Sequence, residues 1–240
     1  MAELTGEAKQ RYVAGLFAGI AGRYDLMNTL MTGGRHLNWK ETTARLASQG
    51  LTGQALDVAT GTGDLALALA RCTGIDRAVG IDLLPQMVEL ARSKAATKGL
   101  TGKTAITVGD AMRLPFPDGS FVCVTSGFSL WNMPDLTGAL AEMARVVRPG
   151  GRVAILELTP MKGGAWPALF RFYFHRIVPL MGRLVAGNSA AYTYLPRSVD
   201  YFPGAETLAG ILRDLGLINV GFRRLGLGAV SLHWGNKPPA

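Results

Sequence analysis

Apolar residues follow two alternating patterns along the chain. Short apolar runs, typical of strands buried in a parallel sheet, alternate with longer stretches in which apolar side chains recur with helical spacing. This alternation predicts repeated strand and helix units, and therefore an α/β fold. The predicted strands are residues 55–59, 78–82, 104–109, 121–126, 152–158, 219–224 and 230–234.

A short link containing glycine joins the last two predicted strands, which favours an antiparallel hairpin at the sheet edge. The whole pattern predicts a seven-stranded, mostly parallel sheet with helices on both faces. Helical spacing between the strands predicts helices over residues 64–72, 84–98, 135–147 and 205–215.

Two further helices are predicted before the first strand. Residues 8–31 carry apolar side chains near a 3.6-residue period, Gly33-Gly34 interrupts the pattern, and a second helix covers about residues 36–47. We expect these helices to form an N-terminal cover, residues 1–50, over a domain of residues 51–240.

An aromatic and basic segment, residues 165–185, stands apart from the strand and helix units. Arg171, His175 and Arg183 share one helical stripe among many apolar side chains, as in segments that rest on a membrane or on a greasy ligand. Pro167 and Pro179 predict two short helices. The alternative is a lid packed on the domain, a lid-like insertion at about residues 160–203.

Composition narrows the class of protein. A chain of 240 residues with 48% hydrophobic and 18% charged residues fits one large domain with a sizeable core. The two cysteines are predicted to be buried core residues of a protein in a reducing compartment. The first ten residues are polar and contain no apolar core of a signal peptide. No run of 18 apolar residues is present. These features predict a cytoplasmic protein.

The net charge of +8 fits nucleic acid, an anionic membrane surface or an acidic substrate as partner. The basic residues are spread out and form no Lys/Arg-rich block, so no nucleic-acid partner is predicted. Peripheral contact with the inner face of a membrane and a homodimer are left open. The three histidines lack metal-ligand spacing, and no metal is predicted.

Residues 54–66 combine a strand, a glycine turn and the start of a helix. Gly61-Thr62-Gly63-Asp64-Leu65-Ala66 matches G-x-G-x-x-G/A, in which glycines let a ligand approach the backbone. Asp64 lies in the loop and Asp57 at the strand end, so two carboxylates face the expected ligand. They suit the ammonium and sulfonium of S-adenosylmethionine (SAM) better than a diphosphate. A nicotinamide-dependent oxidoreductase is the alternative.

Two later strands also end in an acid. Asp82 falls 19 residues after Gly63, where an acid accepts hydrogen bonds from ribose hydroxyls. The alternative is an N-cap for the helix that follows, a position that Pro85 favours. We expect Asp110 and the Ala111 backbone amide to form hydrogen bonds with the edge of an adenine ring. The alternative is that they cap a loop.

Five sequence pieces resemble the ubiquinone/menaquinone biosynthesis C-methyltransferases, and the resemblance covers roughly residues 15–237. The glycine loop is shared by many methyltransferases, whereas Arg-Tyr-Asp-Leu-Met-Asn and Tyr-Leu-Pro-Arg-Ser-Val are more specific. The pieces are residues 17–28, 56–65, 114–116, 192–199 and 232–237. The resemblance implies the class I SAM-dependent methyltransferase fold, with its Rossmann-like sheet, and methylation of a ring carbon on a polyprenylated quinol.

The resemblance also implies roles for individual residues. The family's SAM contacts fall on Thr62, Asp82 and the Asp110–Ala111 pair, and a family serine falls at Gly127, with Ser126 beside it. Trp131 stands where the family usually has an arginine, which could steady a developing quinolate as an indole cannot. The implied acceptor-site residues are Tyr24, Asp25, Asn132, Tyr192 and Arg197.

The resemblance leaves the exact acceptor open. A naphthoquinol and a benzoquinol both fit the family, as does another small aromatic or lipid acceptor. A non-catalytic SAM-binding protein at the membrane is a further alternative, suggested by Trp131 and the segment of residues 165–185.

Overall fold

The computed structural model describes residues 6–161 and 163–240, which contain a seven-stranded sheet. Its order is β3-β2-β1-β4-β5-β7-β6. The first five strands pair in parallel, and β7 runs antiparallel to both β5 and β6. The strands are β1 Gly53–Val58, β2 Ile75–Asp82, β3 Thr104–Val108, β4 Phe121–Gly127, β5 Val147–Leu158, β6 Ile218–Leu225 and β7 Val230–Asn236. The predicted sheet and its antiparallel hairpin are confirmed.

The helices agree with the sequence pattern between the strands and differ from it at the N-terminus. The predicted helix over residues 8–31 is wrong, because a 3₁₀ turn at Ala21–Arg23 divides it into two. Gly19 precedes this turn and Gly22 lies within it, and glycine is a poor helix former. The helices are α1 Gly6–Ala18, α2 Tyr24–Thr32, α3 Arg35–Ser48, α4 Asp64–Ala70, α5 Pro85–Thr97, α6 Leu136–Val146, α7 Ala165–Phe172, α8 Val178–Val185, α9 Ser189–Asp200 and α10 Ala205–Asp214.

The three N-terminal helices do not form one layer. Helix α3 packs on α4 and β5, and its Ala44 and Ala47 are fully buried in the core. Helix α1 has no buried residue. Helix α3 therefore belongs to the helical layer of the sheet, whereas α1 does not enter the core. The division at residue 50 stays a prediction.

The segment of residues 165–185 is helical throughout. Helices α7 and α8 are joined by a π-helical turn, Tyr173–Ile177, rather than by the expected break. Pro179 falls in the first turn of α8, where its missing N–H costs little. Helix α9, which the sequence pattern did not predict, follows and begins at Asn188, whose side chain accepts hydrogen bonds from two backbone N–H groups.

The apolar core explains why the parallel strands hold their register. Leu56 and Val58 of β1, Val124 of β4 and Ile155 of β5 are completely buried, since helices cover both faces of the sheet. The loops after β1, β2, β3 and β4 therefore meet at one edge of the sheet, which is where ligands of open α/β sheets bind.

Candidate functional site

The glycine loop after β1 contains two glycines with different surroundings. Both have left-handed backbone angles, with φ of 55° at Gly61 and 86° at Gly63. A Cβ atom on Gly61 would meet only Tyr24 Cε1, at 3.9 Å, so this side of the loop is open. A Cβ on Gly63 would lie 2.9 Å from Ala91 Cβ. This side of Gly63 therefore faces α5, and a contact of Gly63 with the cofactor stays a prediction.

A cavity of about 130 Å³ lies between this loop and helix α1. Three carboxylates line it, from Asp57 in β1, Asp82 at the end of β2 and Asp110 after β3, together with Lys40 as a cation. An acidic cavity suits a ligand that carries positive charge and sugar hydroxyls. Of the nine residues predicted from sequence to bind SAM, this cavity contains Asp57, Gly61, Thr62, Asp82, Asp110, Ala111 and Gly127.

Asp57 is the most buried of these acids, with 1% of its surface exposed. Burial raises the pKa of its carboxyl to about 6, although hydrogen bonds that it accepts from Thr60 and Thr125 oppose this shift. A cationic group in the cavity would lower the pKa of Asp57 again, because an opposite charge favours the ionised form.

Asp82 fixes the shape of the loop. One carboxyl oxygen accepts a hydrogen bond from Gly61 N at 2.8 Å, and the other accepts one from Leu84 N at 2.9 Å. Burial raises the pKa of this carboxyl, and these backbone donors lower it. Asp82 thus lies on the cavity wall and also holds Leu84, the residue before α5, and its contact with a ribose stays a prediction.

Asp64 does not line the cavity, contrary to the sequence prediction. Its carboxylate is paired with Lys40 at 3.0 Å and with Lys94 at 2.7 Å. Burial alone would raise the pKa of Asp64, but the two ammonium groups hold it well below its usual range. Its charge is therefore already neutralised by the protein.

Ser126 is also absent from the cavity wall. It is completely buried, donates to Val58 O at 3.0 Å and shares a hydrogen bond with Ser129 at 2.6 Å. It supports the loop after β4, and Gly127 lies at the surface of the cavity instead. The cavity also contains Asn132, whose Oδ1 atom is buried without a hydrogen-bond partner in the described chain.

Helix α1 closes this cavity through two polar contacts. Gln10 Nε2 donates to Asp110 Oδ2 at 2.9 Å, and Lys9 Nζ donates to Met133 O at 2.7 Å. The remaining volume is below the roughly 300 Å³ at which small-molecule sites begin. The observed arrangement is therefore a closed form of the cavity.

A second, larger cavity of about 620 Å³ adjoins the first. Its walls come mainly from α2, α3, α7, the π-helical turn and α9, and they are largely apolar. Three aromatic residues line both cavities, namely Phe17, Tyr24 and Phe128. A molecule in the larger cavity can therefore meet a ligand in the acidic cavity at this aromatic junction.

The structure separates the five predicted acceptor-site residues. Tyr24 is at the junction, Tyr192 lines the larger cavity and Asn132 the acidic one. Asp25 lines neither cavity, because it is paired with Lys94 at 2.7 Å. Arg197 is exposed and lines another groove, on α9. Asp25 and Arg197 thus lie outside both cavities, and their roles at the acceptor site stay predictions.

Polar groups are few in the larger cavity. Burial raises the pKa of Tyr24 to about 12 and also raises that of Tyr192, so both hydroxyls stay protonated at neutral pH. The Tyr192 hydroxyl and Trp131 Nε1 are buried without hydrogen-bond partners among residues 6–161 and 163–240. The protein itself therefore leaves the hydrogen-bonding capacity of these two groups unused.

Sequence reasoning missed His36, which is 3% exposed on the wall of the larger cavity. The spacing of the histidines indicates only that they do not form a metal site, and nothing in the local pattern of α3 indicates which side chains reach a cavity. Only the turn between α2 and α3 brings this imidazole inward.

An apolar surface surrounds the outside of α7 and α8. Trp166, Leu169, Phe172, Leu180 and Leu184 are between 42% and 71% exposed. Within the part of the chain that the structure describes, no helix has the length and hydropathy needed to cross a membrane.

Comparison with known proteins gives a family match across nearly the whole chain. Residues 5–237 match the ubiE/COQ5 methyltransferase family. The chain is 44% identical over 229 residues to a demethylmenaquinone methyltransferase of Deinococcus radiodurans, covering 95% of this chain and 94% of that one. It is 38% identical over 231 residues to the ubiquinone/menaquinone biosynthesis C-methyltransferase UbiE of Saccharophagus degradans, covering 96% and 93%.

Solved structures with low sequence identity share the fold. A SAM-dependent methyltransferase structure from Methanococcus maripaludis has a TM-score of 0.65 at 20% identity, covering 92% of this chain and 93% of that one. One from Thermotoga maritima has a TM-score of 0.64 at 18% identity, covering 94% and 99%. The sheet order and these neighbours establish the fold of the class I SAM-dependent methyltransferases.

Proposed function

We infer, from the premise that this chain belongs to the ubiE/COQ5 methyltransferase family, that its acidic cavity holds SAM and its larger cavity holds a quinol. The chain is a SAM-dependent methyltransferase of menaquinone or ubiquinone biosynthesis. The finer proposal is that the acceptor is a polyprenylated quinol, methylated on a ring carbon at the aromatic junction. The observation that carries it is the sharing of Phe17, Tyr24 and Phe128 by both cavities.

The residues of the acidic cavity fit SAM. Asp57 offers a carboxylate to the ammonium group, and Asp82 offers one to the ribose hydroxyls. The open face of Gly61 lets a ligand approach the backbone. Asn132 Oδ1, buried and unpartnered, provides an acceptor at the cavity wall. SAM, when bound, supplies an electrophilic methyl group.

The larger cavity fits an apolar ring with a tail. Its aromatic and aliphatic walls exclude water, and the tyrosines on both sides provide neutral hydroxyls that can donate to quinol oxygens. Holding the ring carbon in line with the methyl group contributes on the order of 7–11 kcal/mol to lowering the barrier. Trp131 lines this cavity with an indole N–H, so a neutral donor stands where the family resemblance implied an arginine.

The proposal is tested by incubating the protein with labelled SAM and a panel of demethyl naphthoquinols and benzoquinols, with mass spectrometry of the products. We expect transfer to a ring carbon of at least one quinol. S-adenosylhomocysteine should raise the melting temperature and NADH should not. Absence of transfer to every quinol, with SAM bound, would leave a SAM-binding protein and overturn the acceptor assignment.

We also propose that the apolar surface of α7 and α8 rests on an anionic bilayer. A polyprenyl tail is too apolar to dissolve in water, so the enzyme must meet a polyprenylated quinol at a bilayer surface. Three exposed arginines, Arg171, Arg176 and Arg183, lie among the apolar side chains of α7 and α8. Each cation near an anionic surface contributes about 1 kcal/mol. The attachment should therefore be peripheral and should weaken in salt. The cytoplasmic location and the homodimer stay predictions.

Vesicle flotation at low salt tests this surface. Replacing Arg171, Arg176 and Arg183 by Gln should lower recovery with anionic vesicles while SAM affinity is unchanged. The matched control replaces three exposed arginines on other elements by Gln, namely Arg77, Arg148 and Arg213. Equal recovery of the two triple variants would show that the segment is an ordinary lid.

A further inference from the structure

We propose that His36 accepts the hydroxyl proton of the quinol at its Nε2 atom, and that Thr32 positions the imidazole in the tautomer that this requires. The inference rests on the proposed function, because it needs a quinol in the larger cavity.

Hydrogen bonds at the end of α2 determine the tautomer. Thr32 Oγ1 lies 2.7 Å from Asn28 O and donates its one hydrogen to that carbonyl. The same Oγ1 lies 2.9 Å from His36 Nδ1, so in this contact the threonine oxygen must accept. Nδ1 therefore carries the hydrogen, and Nε2 keeps its lone pair. No other described side chain or backbone group is hydrogen-bonded to His36 Nε2.

The glycine pair between α2 and α3 creates this contact. Gly33 and Gly34 both adopt left-handed angles, with φ of 58° and 76°, which side chains with a Cβ rarely adopt. The resulting tight turn starts α3 so soon after α2 that Thr32 reaches His36, four residues later. The imidazole is thus held by Thr32, four residues earlier in the sequence, and not by a residue from a distant segment.

The position of His36 on α3 brings it near the aromatic junction. Lys40, one helical turn later on the same face, lines the acidic cavity. Trp39 lies beside the junction residue Phe128, with ring centroids 6.5 Å apart. His36 therefore lies about one helical turn, roughly 5.4 Å along the axis of α3, from a residue that lines the acidic cavity.

The other titratable residues on the wall of the larger cavity are unsuited to accept a proton. The tyrosines whose pKa burial raises keep their hydrogens at neutral pH, and Arg35 is always charged. Burial, more than nearby Lys40, lowers the pKa of His36 to about 4, so its imidazole is neutral at physiological pH. Charged groups around it on neighbouring elements are Asp25, Asp64 and Lys94.

A weak base suffices for this proton. As the quinol ring carbon gives its electron pair to a methyl group, the hydroxyl on the neighbouring ring carbon becomes that of a protonated ketone, which is far more acidic than imidazolium. The O–H bond then breaks, its electron pair stays on oxygen, and the proton forms an N–H bond with Nε2. After the methylated ketone leaves the cavity, its ring carbon loses a proton to water, its oxygen takes up a proton and the ring becomes aromatic again, while the imidazolium releases its proton to the solvent.

His36→Gln tests the proton transfer, since glutamine can accept a hydrogen bond but not a proton. We expect kcat to fall by roughly 10²–10⁴-fold, with KM for the quinol and affinity for SAM within about threefold of wild type. Wild-type kcat retained by a folded His36→Gln protein would overturn the assignment. A wild type that methylates no quinol would instead overturn the proposed function, and this inference with it.

Thr32→Val tests the positioning role, and its readout does not depend on turnover. Nitrogen-15 NMR of the free enzyme should show the imidazole signal that His36→Gln removes as the Nδ1–H tautomer. In Thr32→Val the signal should no longer show a preference for the Nδ1–H tautomer, and kcat should fall by less than in His36→Gln. Thr29→Val is the matched control, because Thr29 donates to Asp25 O from an exposed site on the same helix. An Nε2–H tautomer in the wild type would overturn the proposal.

Discussion

The Nζ atom of Lys94 lies 2.7 Å from the Oδ2 atom of Asp25, and this ion pair joins α5 to α2 across the glycine loop. Lys94 also contacts Asp64 and the Thr62 hydroxyl, and that hydroxyl donates to Asp25 Oδ1 at 2.6 Å. The helix above the site and the loop that shapes it therefore share one ammonium group.

Replacing Lys94 by Met should loosen this junction. We expect unfolding to become easier by about 1–2 kcal/mol, less than the roughly 3–5 kcal/mol for a fully buried pair, because Asp64 keeps Lys40 and Asp25 is partly exposed. SAM affinity should fall as well, since Thr62 loses a partner. Urea unfolding and calorimetry measure both, with exposed Lys98→Met as control. Equal stability and equal SAM affinity of Lys94→Met and Lys98→Met would contradict a role for the shared ammonium group.

Gln10→Ala should open the acidic cavity. The variant loses the hydrogen bond to Asp110 that helps hold α1 over the site, a contact worth about 1 kcal/mol. The association rate of SAM should therefore rise by roughly fivefold in stopped-flow fluorescence. Arg11→Ala, at the next and exposed position, should leave the rate unchanged. Slower or weaker binding by Gln10→Ala would mean that Gln10 holds SAM rather than excludes it.

Gly63→Ala should destabilise the fold by packing as well as by backbone strain. Its Cβ would lie 2.9 Å from Ala91 Cβ at a φ of 86°. We expect a loss of about 2–4 kcal/mol. Gly99→Ala, with a φ of 66° and open space around it, should show the strain alone, about 1–2 kcal/mol. Adding Ala91→Gly should recover part of the difference in urea unfolding, and no recovery would disprove the packing role.

Asp82→Asn should weaken SAM binding while keeping the shape of the side chain. An amide loses the charge on a hydrogen bond to a ribose hydroxyl, roughly 1.5–3 kcal/mol, which is about tenfold to a hundredfold in affinity. Calorimetry with SAM measures the effect. Asp76→Asn, exposed on the same strand, is the control. Unchanged affinity in a folded Asp82→Asn protein would refute the ribose contact.

Glu157→Gln should change how stability depends on pH. Glu157 is completely buried, accepts from Ser129 N and Leu130 N, and burial raises its pKa to about 8. The folded wild type therefore holds a proton that the unfolded chain releases above about pH 4.5, and its stability falls as pH rises from there to about 8.

The Glu157→Gln variant lacks this dependence of stability on pH. Relative to wild type, Glu157→Gln should gain on the order of 2–4 kcal/mol between pH 4.5 and 8. Urea unfolding across that range measures the gain, with exposed Glu89→Gln as a flat reference. Parallel pH curves for wild type and Glu157→Gln would show that the carboxyl is ionised in the folded protein.

The sequence alone determined the sheet, its hairpin and the acids at the strand ends. Period and composition within a few residues decide whether a segment forms a strand or a helix, and a parallel sheet brings the ends of its strands together. Asp57, Asp82 and Asp110 could therefore be placed beside the glycine loop. The turn at Ala21–Arg23 and helix α9 were missed, since local propensity there is weak and packing decides.

Only the tertiary structure decided which polar groups are available for chemistry. Lys40 and Lys94, 24 and 30 residues away from Asp64, neutralise its carboxylate, and Ala91 explains why residue 63 is a glycine. His36 lines a cavity that Arg197 does not reach. Charge compensation and enclosure arise from contacts between distant segments, and no local pattern in the sequence records them.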